Sequence, residues 1–169
     1  MNIKNIINEI ETNKEFIDWK NENKDSYLVH IFKMIDENNK DEVQVGYYNK
    51  ENKMITTFVY NEKTKEIKQN PESETFRKSE THIDELNLED VKIDFVVIMN
   101  KIEQIRTSKY SEHLPSKSFF ILQKIDNQTL WNFTIIAKTL NIVNIKIDAN
   151  NGNIIEDKLT SVFDFKVDK

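Results

Sequence analysis

The sequence predicts an α+β protein made of two similar units, each a helical region followed by an antiparallel sheet. Three observations support this fold class: apolar residues at helical spacing open each half, runs of alternating apolar residues follow them, and this order recurs after a charged middle segment. Residues 1–70 form the first predicted unit, residues 71–88 a surface connector and residues 89–169 the second unit. The hydrophobic core of a unit of about 80 residues contributes only about 3–5 kcal/mol to the free energy of unfolding, so we expect the two units to pack together.

Two helical regions follow from the spacing of apolar residues. The N-terminal region has one apolar face, formed by Ile3, Ile6, Ile7 and Ile10. Thr12 with Glu15 resembles a capping box, so the region is either one bent helix or two short ones. In the second half, Asp94 can cap a helix with a single buried stripe, formed by Phe95, Ile98, Met99, Ile102 and Ile105.

The strands are predicted from period-two patterning and β-forming residues. In the first half they cover 27–35, 42–49 and 53–61, with a short strand at 66–68. In the second half they cover 119–125, 130–138 and 141–148, with a short strand at 154–156. Both halves therefore have three long strands and one short strand.

A shift of 87 positions superposes the two halves without gaps. It places Val43 on Leu130, Ile55 on Ile142, Phe58 on Ile145, Tyr60 on Ile147, Ile67 on Ile154 and Asn61 on Asp148. The shared order of elements favours a repeat. Chance is the alternative, because any two hairpins with period-two patterning match at some offset.

Composition argues against several classes of function. The net charge is −5 and neither half is net basic, so a nucleic-acid partner is not expected. The longest apolar run near the middle, 95–99, is too short to span a bilayer, and the N-terminus lacks the apolar core of a signal peptide. A soluble, cytoplasmic protein is expected. No cysteine is available for a disulfide, a thiolate nucleophile or a zinc site of the usual type.

No catalytic, cofactor or metal site is predicted. The two glycines, Gly46 and Gly152, match no nucleotide-binding motif, and His30, His82 and His113 are scattered, with a structural role favoured for His30. Neighbouring carboxylates such as Glu156 and Asp157 should point to opposite faces of a strand. The turn with Asp148, Asn150 and Gly152 has some features of a calcium loop, but a hairpin turn is the favoured interpretation, with Gly152 at positive φ and Asp148 bonded to local backbone.

The second half resembles a known family over residues 91–156. The segment 92–94 leads into the helix, and the segments 130–134 and 145–149, with Gly152 and Ile154, look like the last hairpin of a PepSY domain. In the first half, Lys65 stands where this turn has glycine. The resemblance implies a small α+β module of the kind found in protease propeptides and cell-envelope proteins, which binds or inhibits other proteins and has no catalytic residues.

Three functions are consistent with these observations. The leading one is a non-enzymatic, PepSY-like module that binds another protein through a sheet face or strand edge. Tyr48, Tyr60 and Trp131 are its candidate partner surface, although the core is the favoured position for most of these rings. The second is a small-molecule binder or enzyme with a cavity under a cystatin-like, cone-shaped sheet. The third is a structural protein that forms homo-oligomers by sheet edges, with the strand at 117–125 as a candidate edge.

Overall fold

The protein is an α+β fold with one eight-stranded antiparallel sheet. The computed structural model describes residues 1–35, 39, 41–74 and 83–164. The elements in chain order are α1 (Ile3–Glu11), α2 (Lys14–Glu22), β1 (Ser26–Met34), β2 (Glu42–Asn49), β3 (Met54–Asn61), β4 (Ile67–Glu74), α3 (Phe95–Lys109), β5 (Pro115–Ile125), β6 (Gln128–Ala137), β7 (Asn141–Asp148) and β8 (Ile154–Ser161), with short 3-10 turns at Leu88–Asp90 and Val162–Asp164. The strand order is β4-β3-β2-β1-β5-β6-β7-β8.

The first strands of the two halves join the sheet at its centre. Strand β1 pairs with β5 from His30 opposite Gln123 to Met34 opposite Phe119, and β5 pairs with β6 on its other side. The expectation that the strand at 117–125 lies at an edge is therefore wrong, because both of its sides are hydrogen-bonded. The edges of the described sheet are β4 and β8.

The N-terminal region forms two short helices rather than one bent helix. The predicted capping box of Thr12 and Glu15 is wrong: Thr12 ends α1 and its hydroxyl donates to the Asn8 carbonyl at 2.7 Å. The residue that caps α2 is Asn13, whose side chain accepts from the Glu15 amide at 2.8 Å. Helix α3 begins after Asp94 as predicted, although the Asp94 side chain makes no capping hydrogen bond.

The hydrophobic core lies between the helices and one face of the sheet. The helices contribute Ile6, Ile10, Phe16, Trp19, Ile98 and Ile102, and the strands contribute Ile31, Val45, Phe58, Leu122, Phe133 and Ile145. Because both halves supply members of this one cluster, the helices and the sheet form a single packed body.

Two strands are longer than predicted, and the connector is correspondingly shorter. Strand β4 continues to Glu74 and β8 to Ser161, in both cases through polar residues whose backbone still pairs with the neighbouring strand. Residues 71–74, predicted as connector, thus belong to β4. At the far end of the connector, Leu86 is only 3% exposed and its amide donates to the Leu28 carbonyl at 2.8 Å, so this end of the connector is part of the core.

The last hairpin of each half has the same turn. The Asn61 side chain accepts from the amides of Lys63 and Thr64, and the Asp148 carboxylate accepts from those of Asn150 and Asn151. Gly152 has a φ of 75° and Lys65, 87 positions earlier, a φ of 63°. The hairpin interpretation of the second turn is therefore confirmed.

The shift of 87 positions describes part of the chain. It places β3 on β7 and β4 on β8 at their bounds, but the match of Val43 with Leu130 is wrong by one residue. Val43 lies opposite Tyr60, and the residue that lies opposite Ile147 is Trp131. The reason is loop length, since residues 50–53 connect β2 to β3 and only residues 138–140 connect β6 to β7.

Candidate functional site

The candidate site is the helix-free face, by which we mean the sheet face opposite the hydrophobic core. Along each strand, side chains alternate between this face and the core. Ile31 and Leu122 point to the core, so their neighbours Phe32 and Ile121 point the other way. None of the three described helices covers this second face, since each places its buried residues in the core cluster.

The centre of the helix-free face is apolar. Phe32 lies opposite Ile121, and Met34 lies opposite Phe119. The rings of Phe32 and Phe119 are tilted by 40° and are 5.6 Å apart between centroids, a distance at which aromatic pairs are stabilising. Val59 lies two strands away from Phe32, because Gln44 is opposite Phe32 on one side and Val59 on the other. The side chains of Phe32, Met34, Val59, Phe119 and Ile121 are all half-buried. Because these apolar side chains are only half-buried, they form a surface that a partner can cover.

Toward β8 the helix-free face becomes polar. Asn144 donates from its side-chain amide to Asn132 at 2.8 Å and to Thr134 at 3.0 Å. In the adjacent row, Lys146 forms an ion pair with Glu156 at 3.0 Å. This face therefore combines an apolar centre with a hydrogen-bonded polar flank, the usual pattern of a protein interface.

His30 lies on the same face beside Gly46. The ring is so close to the Gly46 backbone that a Cβ atom at position 46 would lie 2.3 Å from the ring Cε1. Burial holds the pKa of His30 below its usual value, so the neutral imidazole is the favoured form. His30 also borders a small pocket of about 370 Å³ together with Ile83, Asp84 and Gln123.

The three rings predicted as a partner surface are buried. Tyr48 is 6% exposed, and Tyr60 and Trp131 are each 1% exposed. Tyr60 and Trp131 belong to the core cluster under the helices, where the Tyr60 hydroxyl donates to Glu9 at 2.6 Å and accepts from Lys65 at 2.9 Å. Tyr48 lies on the helix-free face but packs edge-to-face on Tyr27 at 5.7 Å. The expected aromatic surface is thus corrected: these rings are interior.

A groove of about 870 Å³ lies on the helix side, between α1, α2 and the end of the connector. Several of its polar groups already have hydrogen-bond partners within the chain. The Tyr47 hydroxyl donates to Glu11 at 3.1 Å, and the Lys20 ammonium donates to the carbonyls of Lys24 and Ser26. The Ser26 hydroxyl is buried without a described partner. One free hydroxyl specifies little about a ligand, and the sheet beneath is solidly packed, with Ile31 and Val45 fully buried.

The described residues form no recognisable catalytic or metal constellation. No three His, Asp or Glu side chains among them come together as a metal site. His113 contacts Thr139 at 2.9 Å, while His82 lies outside the described residues. Glu156 and Asp157 point to opposite faces as predicted, since Glu156 bonds Lys146 and Asp157 bonds Lys109 and Tyr110.

Sequence reasoning missed the apolar centre of the helix-free face. Alternation separates Phe32 from Ile31 and Phe119 from Phe120, but it does not say which of two apolar faces the helices cover. The polarity of the other residues on each face could have distinguished the helix-free face from the core face. The face with Gln44, Asn132 and Asn144 includes polar residues in every row, whereas the core face of the same strands has few.

No family model matches the sequence, and no curated protein matches it. Among solved structures, the chain is similar to the crystal structure of a putative lipoprotein from Clostridium difficile 630, with a TM-score of 0.53 and 14% identity. The similarity covers 86% of this chain and 90% of that protein. At this identity the likeness concerns the fold alone. No described helix is long and apolar enough to cross a membrane.

Proposed function

We propose that the protein is a non-enzymatic binding module that holds another protein against its helix-free face. The observation that carries the proposal is the half-buried apolar centre formed by Phe32, Met34, Phe119 and Ile121 on a face that none of the described helices covers. On the opposite face of the same strands, Ile31 and Leu122 are fully buried in the core cluster that the helices share.

The arrangement of this face suits a protein better than a small molecule. Protein interfaces have an apolar core and a polar rim, and the paired side chains of Asn144 and Lys146 supply such a rim on one side. The sheet also holds the central side chains in fixed positions, because β1 and β5 each pair with a strand on both sides. A rigid surface loses little conformational entropy on binding.

Affinity capture with a point variant tests the proposal. Ile121→Lys places a charge at the apolar centre, on a face that already accepts lysine at position 146. Loss of a central interface contact costs about 2 kcal/mol, which corresponds to about 30-fold weaker binding. Proteins captured by the wild type should be identified by mass spectrometry, and their affinity for wild type and variant should be measured by surface plasmon resonance.

The matched control is Val97→Lys, which alters an exposed valine on α3, outside the helix-free face. Urea denaturation must show that both variants fold like the wild type. Equal binding of a captured partner to Ile121→Lys and wild type would refute the proposal. Capture of no protein, together with a metabolite that copurifies, would favour a small-molecule binder that uses the helix-side groove.

We further propose that the chain is a tandem of two PepSY-like units. The support is the common turn at Asn61 and Asp148 and the strand order, which runs outward from β1 and β5 in the two halves. The cytoplasmic location is likewise a proposal, and cell fractionation tests it. The lipoprotein name belongs to the structural neighbour.

A further inference from the structure

The two edge strands of the sheet differ in how well they resist pairing. Strand β4 contains Pro71, which has no amide hydrogen and interrupts a ladder of backbone hydrogen bonds. Strand β8 contains no proline, and no described strand pairs with its outer side. The outer side of β8 is therefore an edge of the described sheet that no proline interrupts.

Exposed apolar side chains concentrate beside this strand. Six of the ten large apolar residues that are exposed in the described chain lie on β8, in the 3-10 turn after it or in the adjacent turn, namely Leu140, Ile154, Ile155, Leu159, Val162 and Phe163. Phe163 alone is 74% exposed. An edge strand flanked by apolar side chains favours pairing with another strand.

The hydrogen bonds of the last hairpin show which backbone groups of β8 point outward. The Asp148 amide donates to the Asn153 carbonyl at 2.9 Å, so the backbone groups of Asp148, Lys146 and Asn144 face β8. Their partners Glu156 and Lys158 then face β7. The amides and carbonyls of Asp157 and Leu159 consequently point away from the described sheet.

We propose that β8 pairs antiparallel with β8 of a second copy of this chain, with Asp157 opposite Asp157 of the partner. In this register, Glu156 lies opposite the partner's Lys158, and Leu159 lies opposite the partner's Ile155, the residue at the bulge where the pairing of β8 with β7 shifts by one. Two-fold symmetry forms each of these pairs twice. The ion pairs occupy the non-hydrogen-bonded positions, where opposing side chains come closest. A register shifted by two residues would place Lys158 opposite the partner's Lys158 and would lose both ion pairs.

The two Asp157 carboxylates at the symmetry axis are already neutralised within each copy. Asp157 accepts from the Lys109 ammonium at 2.6 Å and from the Tyr110 hydroxyl at 2.7 Å. These contacts tie each carboxylate to the end of α3 of its own chain. Opposing Asp157 residues can therefore approach with less repulsion than free carboxylates.

Disulfide cross-linking tests the register directly, because the chain has no cysteine of its own. Glu156→Cys and Lys158→Cys are made as separate variants and oxidised, alone and mixed. The proposed register predicts a covalent dimer in the mixture, where position 156 meets position 158 of the other copy. Each variant alone should cross-link poorly, because its two cysteines are offset along the strands.

Light scattering of the wild type provides an independent measurement. We expect a dimer that dissociates on dilution, and Leu159→Lys should convert it to a monomer. Ile17→Lys, an equally exposed residue on α2, should leave the dimer unchanged. Lys109→Met should shift dissociation to higher concentrations by removing the charge that neutralises Asp157. A wild type that is monomeric at every concentration, or cross-linking that is no stronger in the mixture than in the single variants, would overturn the proposal.

Discussion

The contact between His30 and Gly46 gives the most quantitative prediction for the helix-free face. In Gly46→Ala, the new Cβ atom would lie 2.3 Å from the His30 Cε1, 2.6 Å from Nε2 and 2.8 Å from Nδ1. Carbon atoms in favourable contact are about 3.5–4.0 Å apart, so the imidazole must move by more than about 1 Å. Overpacking of this kind costs about 1–3 kcal/mol. Gly46→Ala should lower the free energy of unfolding by that amount.

Urea denaturation followed by tryptophan fluorescence measures this loss, because Trp19 and Trp131 are buried and report on the core. The control is a double-mutant cycle with His30→Ala, which removes the ring. In the His30→Ala background, Gly46→Ala should change the free energy of unfolding little. The coupling energy between the two substitutions should therefore be about 1–3 kcal/mol. If the two substitutions are additive within about 0.5 kcal/mol, the ring does not lie over Gly46 and the description of this part of the face is wrong.

Three further predictions concern other parts of the chain. Burial lowers the pKa of His30 in the folded state, so the unfolded state takes up a proton first as the pH falls. The free energy of unfolding should therefore decrease below about pH 6.5. In urea denaturation at a series of pH values, His30→Gln should remove this contribution to the pH dependence. Gly152→Ala should cost about 1 kcal/mol in thermal denaturation, because position 152 has a φ of 75°, whereas Asn150→Ala in the same turn should cost less. Leu86→Ala should cost about 2–5 kcal/mol, because the side chain is buried in the core, and the exposed Leu140→Ala should stay within about 0.5 kcal/mol of the wild type.

Much of the fold could be predicted from the sequence, because its strands and helices have strong periodic patterns. The stripe on α3 is an example: Ile98, Ile102 and Ile105 are buried as the spacing requires. The turn at Asp148 is another, since a glycine at positive φ and a carboxylate that accepts local amides are properties of the residue types themselves.

The ends of β4 and β8 could not be predicted in the same way. Both strands continue through polar residues, such as those at 156–158, whose pairing depends on a neighbouring strand rather than on their own pattern. The central position of β5 was also missed. Which strand of one half meets which strand of the other is a tertiary property, and local periodicity carries no information about it.

The candidate site shows the same limit. Tyr60 and Trp131 were candidates for a contact surface because aromatic residues are common at interfaces. Both rings are core residues, because their side chains point to the sheet face that packs against the helices. Phe32 and Phe119 have the same patterning in sequence but lie on the opposite face. Only the placement of the helices distinguishes the two sets.

Hydroxyl-radical footprinting of the protein with a captured partner shows whether that partner covers the helix-free face. Oxidation of Phe32, Met34 and Phe119 should decrease in the complex, because the partner is expected to cover the apolar centre of the helix-free face. Exposed residues elsewhere, such as Ile17 on α2, should react equally with and without the partner. Protection of Ile17 with unchanged oxidation of Phe32, Met34 and Phe119 would contradict the account.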